Sequence, residues 1–151
     1  MSREIRNLIK VLTPNDLGLT GGHQAGIHVP REMETIGFFP PLDETVINPR
    51  ALINFVTDAV PSSLPLTFVH YNGKLFGTST RHEYRLTGLT RYFRQIAASV
   101  GDELELCTET PGVYSLATRR KSDIGQPSMS DDSDIVVLSG MWKTIRRGKF
   151  V

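Results

Sequence analysis

The run LPLTFVHYNGKLFGTS (64–79) constrains the fold most. Two apolar-rich stretches flank Asn72–Gly73, a dipeptide that readily supplies the positive φ angles of a two-residue type I′ turn. The run therefore predicts a β-hairpin. The same alternation of short apolar runs with Gly, Pro, Asn and Asp recurs along the chain and points to a sheet protein rather than a helical one.

EIRNLIKVL (4–12) predicts a strand, and TPND with the following glycines breaks it. AGIHVP (25–30) is a short strand ended by Pro30, since proline cannot donate to a ladder. REMETIGFF (31–39) is a short helix stopped by Gly37 and Pro40–Pro41. TVINPRALINFVTDAV (45–60) has strand composition interrupted by Pro49. HEYRLT (82–87) is a further strand. In LTRYFRQIAASV (89–100), Leu89, Phe93, Ile96 and Val100 fall at helical spacing, and Gly101 is a plausible stop. ELELCTE (103–109), GVYSLATR (112–119) and IVVLSGMW (135–142) complete the strands. RKSDIGQPSMSDDSD (120–134) is polar and rich in Ser and Asp, which predicts a long mobile loop. Six or more strands with one or two short helices predict a mostly β fold, a barrel or sandwich of mainly antiparallel strands. The 151 residues suit a single domain, 1–151.

No apolar run reaches membrane-span length, and the charged N-terminus does not look like a secretory signal. The single cysteine, Cys107, excludes an intramolecular disulfide and fits a reducing compartment. Its alternating run predicts a buried structural thiol. Net charge is +1, yet basic residues gather at 80–94, 119–121 and 143–149. Such local patches can bind nucleic acid in a near-neutral chain.

Enzyme signatures are sparse. His23 and His28 sit five apart across a glycine, without the Cys–His clustering of a zinc site. No Asp or Glu is followed two residues later by Lys, the acid–x–Lys spacing common in metal-dependent nucleases. A Gly-x-Ser-x-Gly elbow and a P-loop ending are also absent.

Binding chemistry is better represented. On a strand, Arg81, Glu83 and Arg85 point the same way. Arginine can fork onto guanine O6 and N7, and glutamate can accept from cytosine N4. The competing reading is a solvated strand face with ion pairing. In TPNDLGLTGGHQAGIHVP (13–30), four glycines (18, 21, 22 and 26) leave backbone N–H groups open to an anion, beside polar Asn15, Asp16, Thr20, His23 and Gln24. Ordinary loop chemistry is the alternative there.

Taken together, IKVLTPNDLGLTGGHQAGIHVP and HYNGKLFGTSTRHEYRLT resemble, in order and separation, two segments of the N-terminal effector domain of EcoRII-type restriction endonucleases. The resemblance is strongest over residues 8–30 and 70–87. It implies a DNA-binding pseudobarrel of antiparallel and mixed strands, similar to that of plant transcription factors. Two arms would grip double-stranded DNA from the major groove at a CCWGG-like site. The domain would be monomeric and non-catalytic, an allosteric module in a prokaryotic cytoplasm. It would need no cofactor; Mg2+ would serve only a nuclease domain that this chain lacks. Carried over, the first arm contributes Lys10, Asn15, His23, Gln24 and His28. The second contributes Ser79, Thr80, Arg81, His82, Glu83, Tyr84 and Arg85, with Tyr84 where a lysine is expected. Two alternatives from other classes remain open. One is a fragment of a metal-dependent hydrolase using His23, His28 and Asp16. The other is a protein-interaction barrel.

Overall fold

A computed structural model describes residues 7–19, 26–59, 63–110, 112–124, 134–137 and 141–146. The strands are β1 (Asn7–Val11), β2 (Ile27–Val29), β3 (Arg50–Val56), β4 (Leu64–Tyr71) and β5 (Glu83–Thr87), then β6 (Glu103–Cys107), β7 (Tyr114–Arg119), β8 (Asp134–Val137) and β9 (Trp142–Arg146). Among the described residues, three short helices join them: α1 (Met33–Ile36), α2 (Thr90–Gln95) and α3 (Lys121–Ile124). The strands form one nine-stranded sheet in the order β2-β5-β4-β3-β7-β6-β1-β9-β8. The short β3–β7 ladder, Phe55 with Tyr114 and Val56 with Ser115, is parallel. The other ladders among the described residues are antiparallel, so the sheet is mixed, consistent with a pseudobarrel-like fold.

Period-two alternation decides which side chains enter the core. Ile53 and Phe55 of β3, Leu66 and Phe68 of β4, Leu86 of β5, Leu104 and Leu106 of β6 and Leu116 of β7 all point inward and are buried. Phe38 and Phe39, just after α1, plug this interior. Phe39 stacks on Phe68 with centroids 4.3 Å apart, and Tyr114 packs edge-on to Phe38 while its hydroxyl donates to the Phe38 carbonyl at 3.1 Å. Each such buried aromatic contributes about 1.5–3 kcal/mol of transfer free energy.

Curling brings the ends of the sheet together. Trp142 of β9 is 1% exposed, and its indole N–H donates to the His28 carbonyl of β2 at 2.9 Å. Asp102 pins the opposite side. Burial opposes its ionisation, but the N–H groups of Ser99 and Lys121 and the Arg120 guanidinium outweigh that and hold its carboxyl below the usual value. Arg120 also donates to the Ile96 and Ala97 carbonyls, capping the end of α2.

Several expectations change. Asn72–Gly73 is not a type I′ turn. Asn72 is buried at φ −110°, and Gly73 opens a 3-10 turn, Gly73–Phe76. The cause is non-local: the Asn72 side chain accepts from the Asn48 N–H at 2.8 Å and donates to the Val46 carbonyl at 2.9 Å. β4 still pairs with β5, but across a longer connection. The helix over 89–100 is shorter, because Ala97 turns to φ +52° and Val100 is exposed. Cys107 is half-buried rather than fully buried. The last run, 135–142, holds most of β8 and only the first residue of β9: Asp134–Val137 pairs antiparallel to Trp142–Arg146, whose later residues fall in the basic stretch 143–149. Of the stretch 120–134, Lys121–Ile124 is helical and Asp134 opens β8, while 125–133 lie outside the described residues.

Trp142→Phe keeps the ring in the core and removes the bond that spans the sheet. It should lower stability by about 1–2 kcal/mol, seen as a lower urea midpoint. The β2 amides should also exchange faster. A midpoint and β2 exchange equal to wild type would contradict the closing role.

Candidate nucleic-acid interface

The two stretches singled out in the sequence meet on the β2–β5–β4 end of the sheet. β2 pairs with β5 through Ile27–Leu86, His28–Arg85 and Val29–Tyr84. β5 pairs with β4 through Tyr71–Glu83, His70–Tyr84 and Val69–Arg85. Alternation then sorts the residues by face. Tyr84 and Leu86 turn to the interior with His70 and Phe68; Glu83 and Arg85 turn outward with Tyr71 and His28.

On that outer face Glu83 is clamped between two arginines. Its Oε1 accepts from Arg81 Nε at 2.9 Å and from Arg81 Nη2 at 2.7 Å. Its Oε2 accepts from Arg85 Nη2 at 3.1 Å. Burial works against ionisation of Glu83, but the bonds from Arg85 and Arg81 prevail and keep its carboxyl below the ordinary carboxylate value. The three residues expected to share a face from the 81, 83, 85 spacing are thus brought together, by the ion pairing of the competing reading, although Arg81 lies just before β5.

The two arginines are not equivalent. Arg85 is 3% exposed, and its Nη1 donates to the Gly26 carbonyl at 3.1 Å. It thus ties the second segment to the end of the first. The Arg81 side chain is 44% exposed and lies over the Tyr71 ring, 3.8 Å from the centroid. Its backbone is held as well, by Ser79 Oγ at 3.2 Å and by the Lys74 N–H at 2.9 Å.

The remaining expected residues fall in distinct places. Lys10 is 4% exposed, with its ammonium 3.0 Å from Asp16 Oδ2 and 3.0 Å from the Val11 carbonyl. It spends its charge on the loop that follows β1. Asp16 also accepts from the Thr13 N–H, so this loop is built on a buried ion pair. Asn15, Ser79 and Thr80 are exposed. His28 projects outward. The desolvation it suffers, followed by the Arg85 charge, lowers its basicity. His82 is 2.8 Å from Arg31 Nη1 through its Nδ1. Desolvation and then the Arg31 charge lower its basicity too, which fits an imidazole that accepts from the guanidinium. Tyr84 stacks on His70 at 4.1 Å and on Phe68 at 5.5 Å, with its phenol pushed up by burial. His23 and Gln24 lie outside the described residues.

Sequence reasoning missed Tyr71, Arg31 and the Gly26 carbonyl. Tyr71 could have been found only from the β4–β5 register, which places it opposite Glu83. Among the described residues, no group of three or more His, Cys, Asp or Glu side chains is placed to hold a metal ion. Nor, among them, is any helix long and apolar enough to cross a membrane.

A family model described as restriction endonuclease EcoRII, N-terminal, matches residues 2–113. The Type II restriction enzyme EcoRII of Escherichia coli is 37% identical over 84 residues, a match covering 52% of this chain. The same match covers only 20% of that enzyme's length.

Gly26 carries the join between the two segments. Its φ is +83°, and a Cβ there would lie 2.3 Å from the Leu86 carbonyl oxygen. Gly26→Ala should therefore cost more than the roughly 1–2 kcal/mol of left-handed backbone strain alone. Denaturant unfolding should show the loss, and a midpoint equal to wild type would contradict this geometry.

Proposed function

The chain belongs to the restriction endonuclease EcoRII N-terminal family, and on that premise we propose that it binds double-stranded DNA sequence-specifically, without catalysis. It would act as the effector domain of a larger prokaryotic, cytoplasmic restriction enzyme whose nuclease domain lies elsewhere. The observation that carries the reading is the ladder from Gly26 through Arg85 and Glu83 to Arg81. It joins the two segments that resemble the family's DNA arms and leaves one exposed guanidinium at its outer end.

Roles divide by exposure. Arg81 is the base reader: its free N–H groups can fork onto guanine O6 and N7 in the major groove. Glu83 orients Arg81 and presents its carboxylate beside it, where a cytosine amino group can approach. Arg85 acts from beneath, holding Glu83 and the first arm in one register. His28 sits next to Arg85 on the same face as a donor or acceptor, and His23 and Gln24 extend the first arm. Lys10 shapes that arm through Asp16, and exposed Asn15, Ser79 and Thr80 supply polar contacts to the backbone. A CCWGG-like target fits an Arg–Glu pair that reads C·G. One domain carries one copy of each segment, so a monomer would occupy a site in either orientation.

Arg81→Ala should weaken binding to the cognate duplex by about 1–3 kcal/mol and leave scrambled DNA much less affected. Fluorescence anisotropy at fixed salt measures both. Equal losses on the two duplexes would reduce Arg81 to a phosphate contact and sink the base-reading role.

A further inference from the structure

Arg81 is held in a way that a solvated surface arginine is not. Its neighbours Tyr71 and Glu83 are direct cross-strand partners on β4 and β5. Such a pair places two side chains side by side on one face of a sheet. Arg81, two residues before Glu83, drapes over both: the ring lies beneath its guanidinium at 3.8 Å and the carboxylate lies along its Nε edge. The phenol ring supplies the electron-rich face that attracts a guanidinium, and it also restricts the plane in which the guanidinium can lie.

Counting donors shows what this leaves. A guanidinium has five N–H groups in a fixed fork. Two are directed at Glu83 Oε1, one from Nε and one from Nη2. The remaining N–H groups belong to the Nη1–Nη2 end, the end that can form a two-bond fork with guanine. An unrestrained arginine loses side-chain freedom when it docks. In a seat of ring and carboxylate, part of that loss is taken at folding rather than at binding.

We propose that Tyr71 is a specificity-determining positioning residue: its ring is the platform that fixes the Arg81 guanidinium in the plane needed to read a base. This rests on the DNA-binding reading above and assigns to it a residue outside both family-like arms' charged positions. Tyr71 need not touch DNA. Its contribution is to the orientation of Arg81, so it should be felt on the cognate site and not on random sequence.

The test uses Tyr71→Leu and Tyr71→Phe in the whole chain, with thermal melting as the folding control. Tyr71 is half-buried at the end of β4, and Phe keeps both the ring and its packing. Tyr71→Leu should weaken cognate binding about three- to thirtyfold, the range of a cation–π contact, and leave scrambled binding within about twofold. Tyr71→Phe should restore cognate affinity. Adding Tyr71→Leu to Arg81→Ala should produce no further loss, because the platform then has nothing to hold. Unchanged cognate binding in Tyr71→Leu, a Phe variant as weak as Leu, or additive losses would each overturn the proposal. Wild-type protein that does not distinguish cognate from scrambled DNA would instead overturn the DNA-reading function itself. In that event, an Arg81 Nε–H proton shifted by the Tyr71 ring current in wild type but not in Tyr71→Leu would still show the seat intact.

Discussion

The indole of Trp142 makes the bond on which the rest of this arrangement depends. β2 is only three residues long and pairs with β5 along one side. Its other side is held by a side chain, as Trp142 reaches from β9 to the His28 carbonyl. One hydrogen bond from a buried ring thus closes an otherwise open sheet and fixes the strand that carries His28. Among the described residues, β2 and β9 are linked by a side chain rather than by strand pairing.

Charge is partitioned by the same architecture. Lys10 with Asp16, Arg120 with Asp102, and Lys143 with Glu103 are ion pairs that each involve a mostly buried carboxylate. They serve loop shape and the joining of elements. Pairing is what makes a buried charge tolerable, and breaking such a pair costs far more than an exposed pair contributes. The Arg81–Glu83–Arg85 series differs because it runs from a buried to an exposed end. Its inner arginine is committed to the Gly26 carbonyl, while its outer one is oriented but still open to solvent. An oriented, exposed guanidinium suits reading a base edge better than it suits stabilising a sheet.

Much of the fold was legible because alternation in a run such as YSLAT directly reports a buried and an exposed face. The shared face of residues 81, 83 and 85 followed from the same period. What could not be read was set by distant partners. Asn72 looked like a turn residue until its amide found Asn48 and Val46, 24 and 26 residues away. Lys10 was expected in the first DNA arm, but folding of the next loop brings Asp16 to it. Arg85 looked equivalent to Arg81, yet its place between β2 and β4 buries it. The break in the last apolar run was legible in Ser139–Gly140, a turn signal, but the strand that follows was read as a basic patch. Resemblance to the family located the two segments; it did not say which side chain is outermost.

The central claim is that this face reads DNA sequence. Repeated selection from a pool of randomised duplex DNA with the isolated chain tests it most directly. One short, nearly palindromic motif with C·G pairs flanking an A·T centre should be enriched. Recovery of a pool with no common motif, or no retention of duplex DNA at all, would contradict it.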